Sequence, residues 1–430
     1  MKINIGLIGL GNVGVGVVKI LNEKRLQLKD RIGIEFVIKK ICDKDIKRKR
    51  LIKIDKSLLT TNYNKILEDK DIDIVIELIG GIHPAKEVIL KALFQGKNVV
   101  TANKALLAQE GLEIFKQAKK YRKNVYFEAS VGAGIPIIKT IQEGLVANKF
   151  KGIFGIINGT SNFVLSKMLQ EECTFKAALE EAKKRGFAER NASLDIEGYD
   201  SAHKLIILTY LAFGKFVKLS DIFVEGISSI SLSDVRYARQ LGMVIKLLAI
   251  AKATEGELEV RVHPTLISKN HLLSSVNGIF NAIYLNTDFA GDILLYGEGA
   301  GQMSAASAVV SDIVSVAQKL TCEPEASKGI LPEKIFIKKL KKIDQIETRF
   351  YIRFMAIDRP GVLSKISGIL GKFGISISSV TQAERRRSSV VPVVMLTHDA
   401  KERNMRLALE QIYKLAVIRE KPVAIRMERI

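Results

Sequence analysis

A glycine turn near the amino terminus constrains this chain more than any other feature. Ile3-Asn4-Ile5-Gly6-Leu7-Ile8 reads as a buried strand, and Gly9-Leu10-Gly11-Asn12-Val13-Gly14 follows it as G-x-G-x-x-G. A helix is expected from about Asn12 to Asn22. Strand, glycine turn and helix in that order are the context in which the motif binds a dinucleotide. Gly9 permits the tight turn, Gly11 lets the backbone approach a pyrophosphate, and Gly14 lets helix and strand pack closely. Asn12 and Val13 open the helix, whose N-terminus then faces the phosphates. The uncharged run Ile3 to Val18 superficially resembles a secretory signal. Gly6, Gly9, Gly11, Gly14 and Gly16 interrupt it, and no clear cleavage site follows.

The second strand, Glu35 to Cys42, ends in Asp43-Lys44. An acidic residue there favours NAD through the ribose hydroxyls, and a nearby cation favours NADP. Asp43 speaks for NAD; Lys44, with Lys47 and Arg48 behind it, tips the expectation to NADP. Short strands are expected at Asp73 to Glu77, Asn98 to Val100 and Asn124 to Phe127, with helices near Ala85 to Gln95 and Gln109 to Tyr121. Alternating strands and helices imply a parallel sheet covered on both faces.

Helices dominate from Ile135 to about Gly214, after a strand at Ile153 to Ile157 within that stretch. Val244 to Lys252, Leu258 to His263, Val276 to Leu285 and Phe289 to Gly297 read as antiparallel strands. A closing helix spans Gly301 to Leu320. Thr321 to Thr348, rich in Lys, Glu and Pro, reads as a linker. Beyond it, strand Phe350 to Ile357, helix Val362 to Phe373, strands Ser376 to Gln382 and Ser389 to Leu396, helix Lys401 to Tyr413 and strand Val423 to Arg429 make βαββαβ, the ferredoxin-like plan.

The chain's 430 residues, 47% hydrophobic and 26% charged, are ordinary globular composition and exclude disorder as the main state. No apolar run reaches the ~18 residues a membrane span needs. Cys42, Cys173 and Cys322 form neither a disulfide framework nor a zinc pattern, so a cytoplasmic location is expected. A formal net charge of +21 raises nucleic acid as a partner. The basic residues are interleaved with Asp43, Asp45, Asp55 and aliphatic residues and carry no nucleic-acid motif, so neither nucleic acid nor membrane is expected.

Residues 182–204 read AKKRGFAERNASLDIEGYDSAHK. Asp200 and Lys204 share one helix face, and Glu189 and Asp195 precede them in a glycine-containing loop. Reducing a carbonyl by hydride requires a proton donor at oxygen, which a buried Lys can supply, and carboxylates to hold an ammonium substrate. By itself an Asp-Lys pair at this spacing is more often an ordinary helix-surface ion pair.

The spacing A-x3-G-F-A-x2-N-x3-D-I-x-G-x-D-x3-K from Ala182 to Lys204 resembles the signature of the homoserine dehydrogenases. Val100 to Leu106, Glu128 to Pro136, and Gly299-Ala300-Gly301 with Ala305 to Asp312 are similar too. Asp358, Pro360 to Leu363 and Thr397-His398 resemble an ACT regulatory domain. Ala192 and Met303-Ser304 depart from the family, where Pro and Pro-Thr are usual.

The resemblance implies an α/β protein with three parts. These are a Rossmann-type nucleotide-binding domain over 1–130, to which helix 301–320 returns, an α+β catalytic and dimerisation domain over 131–320, and, after a linker over 321–348, an ACT domain over 349–430. It implies reversible NAD(P)H-dependent reduction of L-aspartate 4-semialdehyde to L-homoserine, in threonine, methionine and isoleucine biosynthesis. Lys204 would be the proton donor, with Glu189 and Asp200 holding the substrate. Lys104 would lie between nicotinamide and substrate, and Gly301 would close over the cofactor. Glu128, with carbonyls of Val131, Ala133 and Ile135, would bind a monovalent cation, sodium by expectation. The assembly would be a homodimer or homotetramer, with threonine as effector. Two rivals are weighed. Aspartate-semialdehyde dehydrogenase would need a nucleophilic Cys, for which no thiol here is placed. A non-catalytic cofactor and amino-acid sensor would have no use for Lys104 and Lys204.

Overall fold

The computed structural model describes residues 1–50, 52–322, 337, 339–382 and 389–430. The chain divides into two compact units. The first comprises Met1–Phe150, His203–Leu219 and the described part of Phe280–Phe336. Its centre is a six-stranded parallel sheet of β1 (Lys2–Ile8), β2 (Glu35–Cys42), β3 (Leu59–Thr60), β4 (Ile74–Glu77), β5 (Asn98–Thr101) and β6 (Val125–Tyr126), in the order β3-β2-β1-β4-β5-β6. Every residue of β4 and β5 is buried, the polar Glu77, Asn98 and Thr101 included, as strands covered by helices on both faces require. Helix Gln302–Cys322 packs on helix Asn12–Glu23: a Cβ at Gly16 would lie 2.8 Å from the Cβ of Ala306. Val17, Val18 and Leu21 meet Val309, Val310, Ile313 and Val316 in one core, each such side chain contributing about 1.5–3 kcal/mol by burial.

The second unit comprises Lys151–Ala202, Ser220–Ile279 and the described part of Ile337–Ile430. Its long hairpin pairs Met243–Thr254 with Glu257–Ser268 through Glu255-Gly256, both at positive φ (52° and 82°), the twist a two-residue hairpin turn needs. The carboxy-terminal strands Val423–Met427, Glu347–Ile357, Val390–Thr397 and Ile377–Thr381 lie side by side in that order, with helices Val362–Lys372 and Glu402–Tyr413 completing βαββαβ. Ile366, Leu370, Met405 and Ile412 pack against Phe350, Ile352 and Phe354 in this unit's own core.

Two expectations need correction. Val276 to Leu285 is not one strand, because the strand begins at Phe280. Before it, the Val276 and Gly278 carbonyls accept the Asn162 side-chain amide, each at 3.1 Å, and Gly278 turns at φ 65°. Peptide groups committed in this way cannot join a ladder. The expected linker 321–348 lies partly outside the described residues, over 323–336 and 338. Its remainder is no tether: Lys339–Leu340 pairs in parallel with Glu257–Leu258, Ile346 is buried, and a strand already runs from Glu347.

The βαββαβ segment is also no appended module. Strand Val423–Met427 pairs in parallel with Thr265–Leu266. Arg353 donates to both oxygens of Asp234, at 2.7 and 3.1 Å, and the Tyr351 hydroxyl donates to the same carboxylate at 3.0 Å. Arg426 bridges Glu402 and Glu225, and Glu428 takes Arg261 at 2.8 Å and Lys252 at 2.6 Å. Such pairs tolerate burial only while every partner stays in place.

Candidate active site

At the glycine turn each glycine has its own reason. Gly9 sits at φ 104°, and a Cβ there would stand 2.5 Å from the Leu78 carbonyl oxygen. A Cβ at Gly14 would stand 2.2 Å from the Gly9 carbonyl oxygen. At Gly11 a Cβ would meet nothing within 4 Å, so this is the open side, where a ligand's phosphates can reach the backbone. No side chain caps the helix that starts at Asn12, and its first turn has no acid, which leaves the positive end of its dipole to an anion. Gln302 donates to the Asn12 carbonyl at 2.9 Å, which brings the Gly301 turn (φ 140°) to the same helix start.

Asp43 is already engaged. Its carboxylate accepts the Leu10 N–H at 2.6 Å and the Asp45 N–H at 2.8 Å, and Arg50 lies 3.3 Å away. Arg50 also donates to the Leu10 carbonyl at 3.0 Å. Lys44 is exposed. Lys47, Arg48, Arg50 and Lys56 line a cavity of about 480 Å³ with no acidic residue among the described residues of its wall. Arg50 was not legible as a site residue, because only the fold returns it to the turn.

Lys104 is half-buried and is the first residue of helix Lys104–Lys120. A buried chain sets that helix start: Thr101 donates to Glu77 at 2.7 Å, the Asn103 N–H donates to Thr101 at 3.0 Å, and the Asn103 amide donates to the Gly81 carbonyl at 2.6 Å. Asn103 also accepts the Leu106 N–H as the cap. Burial pushes the Glu77 carboxyl up, against the hydrogen bonds it accepts. Phe115 of this helix stacks on Tyr210, 5.7 Å between ring centres, so it packs against the helix that bears Lys204.

Asp200 and Lys204 lie one turn apart on helix Tyr199–Phe213, and each is only 7% exposed. That burial removes the reading as a surface pair. In the second unit Asn158 organises the carboxylates: its amide nitrogen donates to Asp195 at 2.7 Å and to Asp200 at 2.9 Å. Its oxygen accepts the Ser161 N–H at 2.8 Å and so caps helix Gly159–Glu171. Thr160 of the same turn donates to the Phe187 carbonyl at 2.6 Å and anchors the loop on which Glu189 stands exposed. Asn158 was missed. Asn-Gly-Thr-Ser after a strand signals a cap, but not which carboxylates the amide will hold.

Glu128 is buried, and desolvation pushes its carboxyl up. Its oxygens accept the Ile138 and Lys139 N–H groups at 2.7 and 3.0 Å, and its own N–H donates to Asp312 at 2.8 Å. Gly132 (φ 71°) and Ala133 (φ 42°) turn the following backbone through the left-handed region, where alanine is rarely found. Among the described residues no three His, Cys, Asp or Glu side chains gather as metal ligands.

Other chemistry finds no support in the groups the structure describes. Burial and Asp43 push the Cys42 thiol up to about 11, the opposite of an activated nucleophile. His263 is fully buried, and burial with Arg426 and Arg261 holds it well below its ordinary range. His83, in the turn before helix Ala85–Phe94, pairs with Glu87 at 2.6 Å, an exposed surface contact.

Comparison with known proteins agrees over the whole chain. Residues 9–128 match the family model for the homoserine dehydrogenase NAD-binding domain, residues 136–314 that for homoserine dehydrogenase, and residues 350–417 that for the ACT domain. A homoserine dehydrogenase of Neisseria gonorrhoeae is 40% identical, covering 100% of this chain and 99% of its own. The crystal structure of a homoserine dehydrogenase from Thiobacillus denitrificans superposes with a TM-score of 0.92 at 40% identity, covering 100% of this chain and 98% of its own. A hyperthermophilic archaeal homoserine dehydrogenase in complex with NADPH gives a TM-score of 0.62 at 27% identity, covering 74% of this chain and 98% of its own. No described helix is long and apolar enough to cross a membrane.

Proposed function

The chain belongs to the homoserine dehydrogenase family, oxidoreductases that interconvert L-aspartate 4-semialdehyde and L-homoserine, and we propose that Lys204 is the residue that gives and takes the proton. The observation that carries this is the burial of Lys204 one turn from an equally buried Asp200 on a single helix. The nicotinamide cofactor, when bound, supplies the hydride. Lys204 Nζ holds the proton for the aldehyde oxygen, and Asp200 keeps that ammonium aligned. Asp200 and Glu189 hold the substrate's own ammonium group. Lys104, fixed at its helix start, sits between nicotinamide and substrate, and Gly301 closes over the cofactor.

Glu189→Gln is expected to raise the KM for L-homoserine by far more than that for the cofactor. A carboxylate facing an ammonium is worth about 1.5–3 kcal/mol, and the amide keeps its shape while losing its charge. Equal changes in both constants would assign Glu189 to loop structure instead.

Gly9, Gly11, Asn12, Val13, Gly14 and Lys44 complete the cofactor site in this reading, and NADP is the preferred form. The support is the cationic cavity beside the second strand and an Asp43 committed to Leu10, Asp45 and Arg50. A 2′-phosphate would find Lys47, Arg48 and Arg50 there. Glu128 with the carbonyls of Val131, Ala133 and Ile135 would hold a monovalent cation such as sodium. The enzyme would work in the cytoplasm as a homodimer or homotetramer, with threonine binding its ACT segment near Asp358 to Leu363. Gly361 opens that segment's first helix at φ 83°. Steady-state assays with both cofactors, with and without threonine, test these points together. The expected results are a kcat/KM for NADPH about tenfold above NADH, as charge-assisted phosphate contacts produce, and inhibition by millimolar threonine. A tenfold preference for NADH would overturn the first. Threonine that moves neither rate nor melting temperature would overturn the second, since a bound ligand stabilises the state it binds.

A further inference from the structure

Lys246 stands on strand Met243–Thr254 with 1% of its surface exposed. Its ammonium donates to three neutral oxygens: the Val276 carbonyl at 2.5 Å, Asn162 Oδ1 at 3.2 Å and Asn277 Oδ1 at 3.2 Å. Burial pushes it down to about 7. Among the described residues no carboxylate faces it; a buried ammonium so placed is costly to keep, and an apolar residue would fill the same space at less cost. Nothing in the proposed proton transfer uses it.

Its partners show what it holds. Asn162 lies in the first turns of helix Gly159–Glu171 and donates onward to the Val276 and Gly278 carbonyls. Ser166, one turn later, donates to Asn277 Oδ1 and accepts the Gly278 N–H. A Cβ at Gly159 would stand 2.8 Å from the Ile279 carbonyl oxygen, so the start of the helix is pressed against this same turn. The residue that caps the helix is Asn158, whose amide holds Asp195 and Asp200.

We infer that Lys246 is a positioning residue for the substrate carboxylates: it fastens the 276–279 turn to the helix Gly159–Glu171 and so sets the cap, Asn158, from which Asp195 and Asp200 hang. The inference rests on the reading that Asp200 faces the substrate. Of its three acceptors, Asn162 belongs to the helix and Val276 and Asn277 to the turn, so the one side chain ties the two together. The site tolerates little error, because misplacement by about 1 Å far from the chemistry can cost on the order of a hundredfold in rate.

The test uses the full-length chain and L-homoserine. Lys246→Met is expected to raise the KM for L-homoserine and to lower kcat, each by about tenfold, while the cofactor KM stays within about twofold. A protein that melts earlier but keeps its kinetic constants would reduce Lys246 to a core residue, and so would equal shifts in both KM values. If Lys246→Met does not fold, Asn277→Ala removes one acceptor at a half-buried position and is expected to move the same constant by about threefold, with no change again overturning the inference. Asp200→Asn separates the two layers. If it leaves homoserine binding unchanged, the reading of the carboxylates fails. If it weakens binding and Lys246→Met does not, only the role of Lys246 fails.

Discussion

Lys204→Ala is expected to lower kcat at least ~100-fold with cofactor affinity kept, the usual loss when a general acid is removed. The fold gives the prediction its force. Lys204 is buried on the helix that also carries Asp200. Alanine would remove the proposed proton donor. The glycine turn proposed to hold the cofactor is a separate element, which is why the cofactor KM should not move. Lys204→Arg keeps the charge but not the chemistry, because a guanidinium does not give up its proton in proteins. Arg should therefore rescue little of the rate. Near-normal turnover of the alanine variant at neutral pH would place the donor elsewhere.

Arg353→Met is expected to destabilise the protein by about 3–5 kcal/mol, the cost of leaving one member of a buried pair without its partner. Asp234 would keep the Tyr351 hydroxyl and its cap contacts to Ser231, but lose two charge-assisted bonds inside the unit. Against a typical total of about 5–15 kcal/mol, the loss would show as a lower urea midpoint and a much lower melting temperature. Replacing Asp234 as well, by Leu, should recover part of it. For the same reason truncation after Leu320 should yield insoluble chain rather than an unregulated enzyme, since strand Glu257–Ser268 would lose Lys339–Leu340 and Val423–Met427. Unchanged stability of Arg353→Met would show the contact to be dispensable.

Much of this architecture is legible in the residues because its signals are local. Five of the strands of the parallel sheet read as apolar runs between helical periods, and the glycine turn announces its own geometry. Strand Leu59–Thr60 runs into the polar Thr60-Thr61-Asn62 and has no apolar run to mark it. The βαββαβ order is likewise readable, since each element has its own period and turn. What escapes is pairing across distance. Nothing near Thr265 tells that it will lie beside Arg426, and a Lys- and Glu-rich stretch looks like a tether whether or not part of it joins a sheet. Polar partnerships escape for the same reason. Asn158 reads as a cap, Arg50 as one more surface cation, and Lys246 as an irregularity in a strand. Each takes its meaning from a group brought to it by the fold. The Val276 to Leu285 stretch misleads because it is apolar enough for a strand, while the carbonyls at its start are spent on Asn162 and Lys246.

The most direct test of the account follows reduction of the nicotinamide by its absorbance, with L-homoserine as the varied substrate and the wild type and Lys204→Ala compared side by side. The account predicts saturable, homoserine-dependent reduction by the wild type. It predicts a rate lowered at least ~100-fold in the variant, with unchanged cofactor saturation. A wild type that binds the cofactor but shows no homoserine-dependent reduction, or a variant as fast as the wild type, would contradict it.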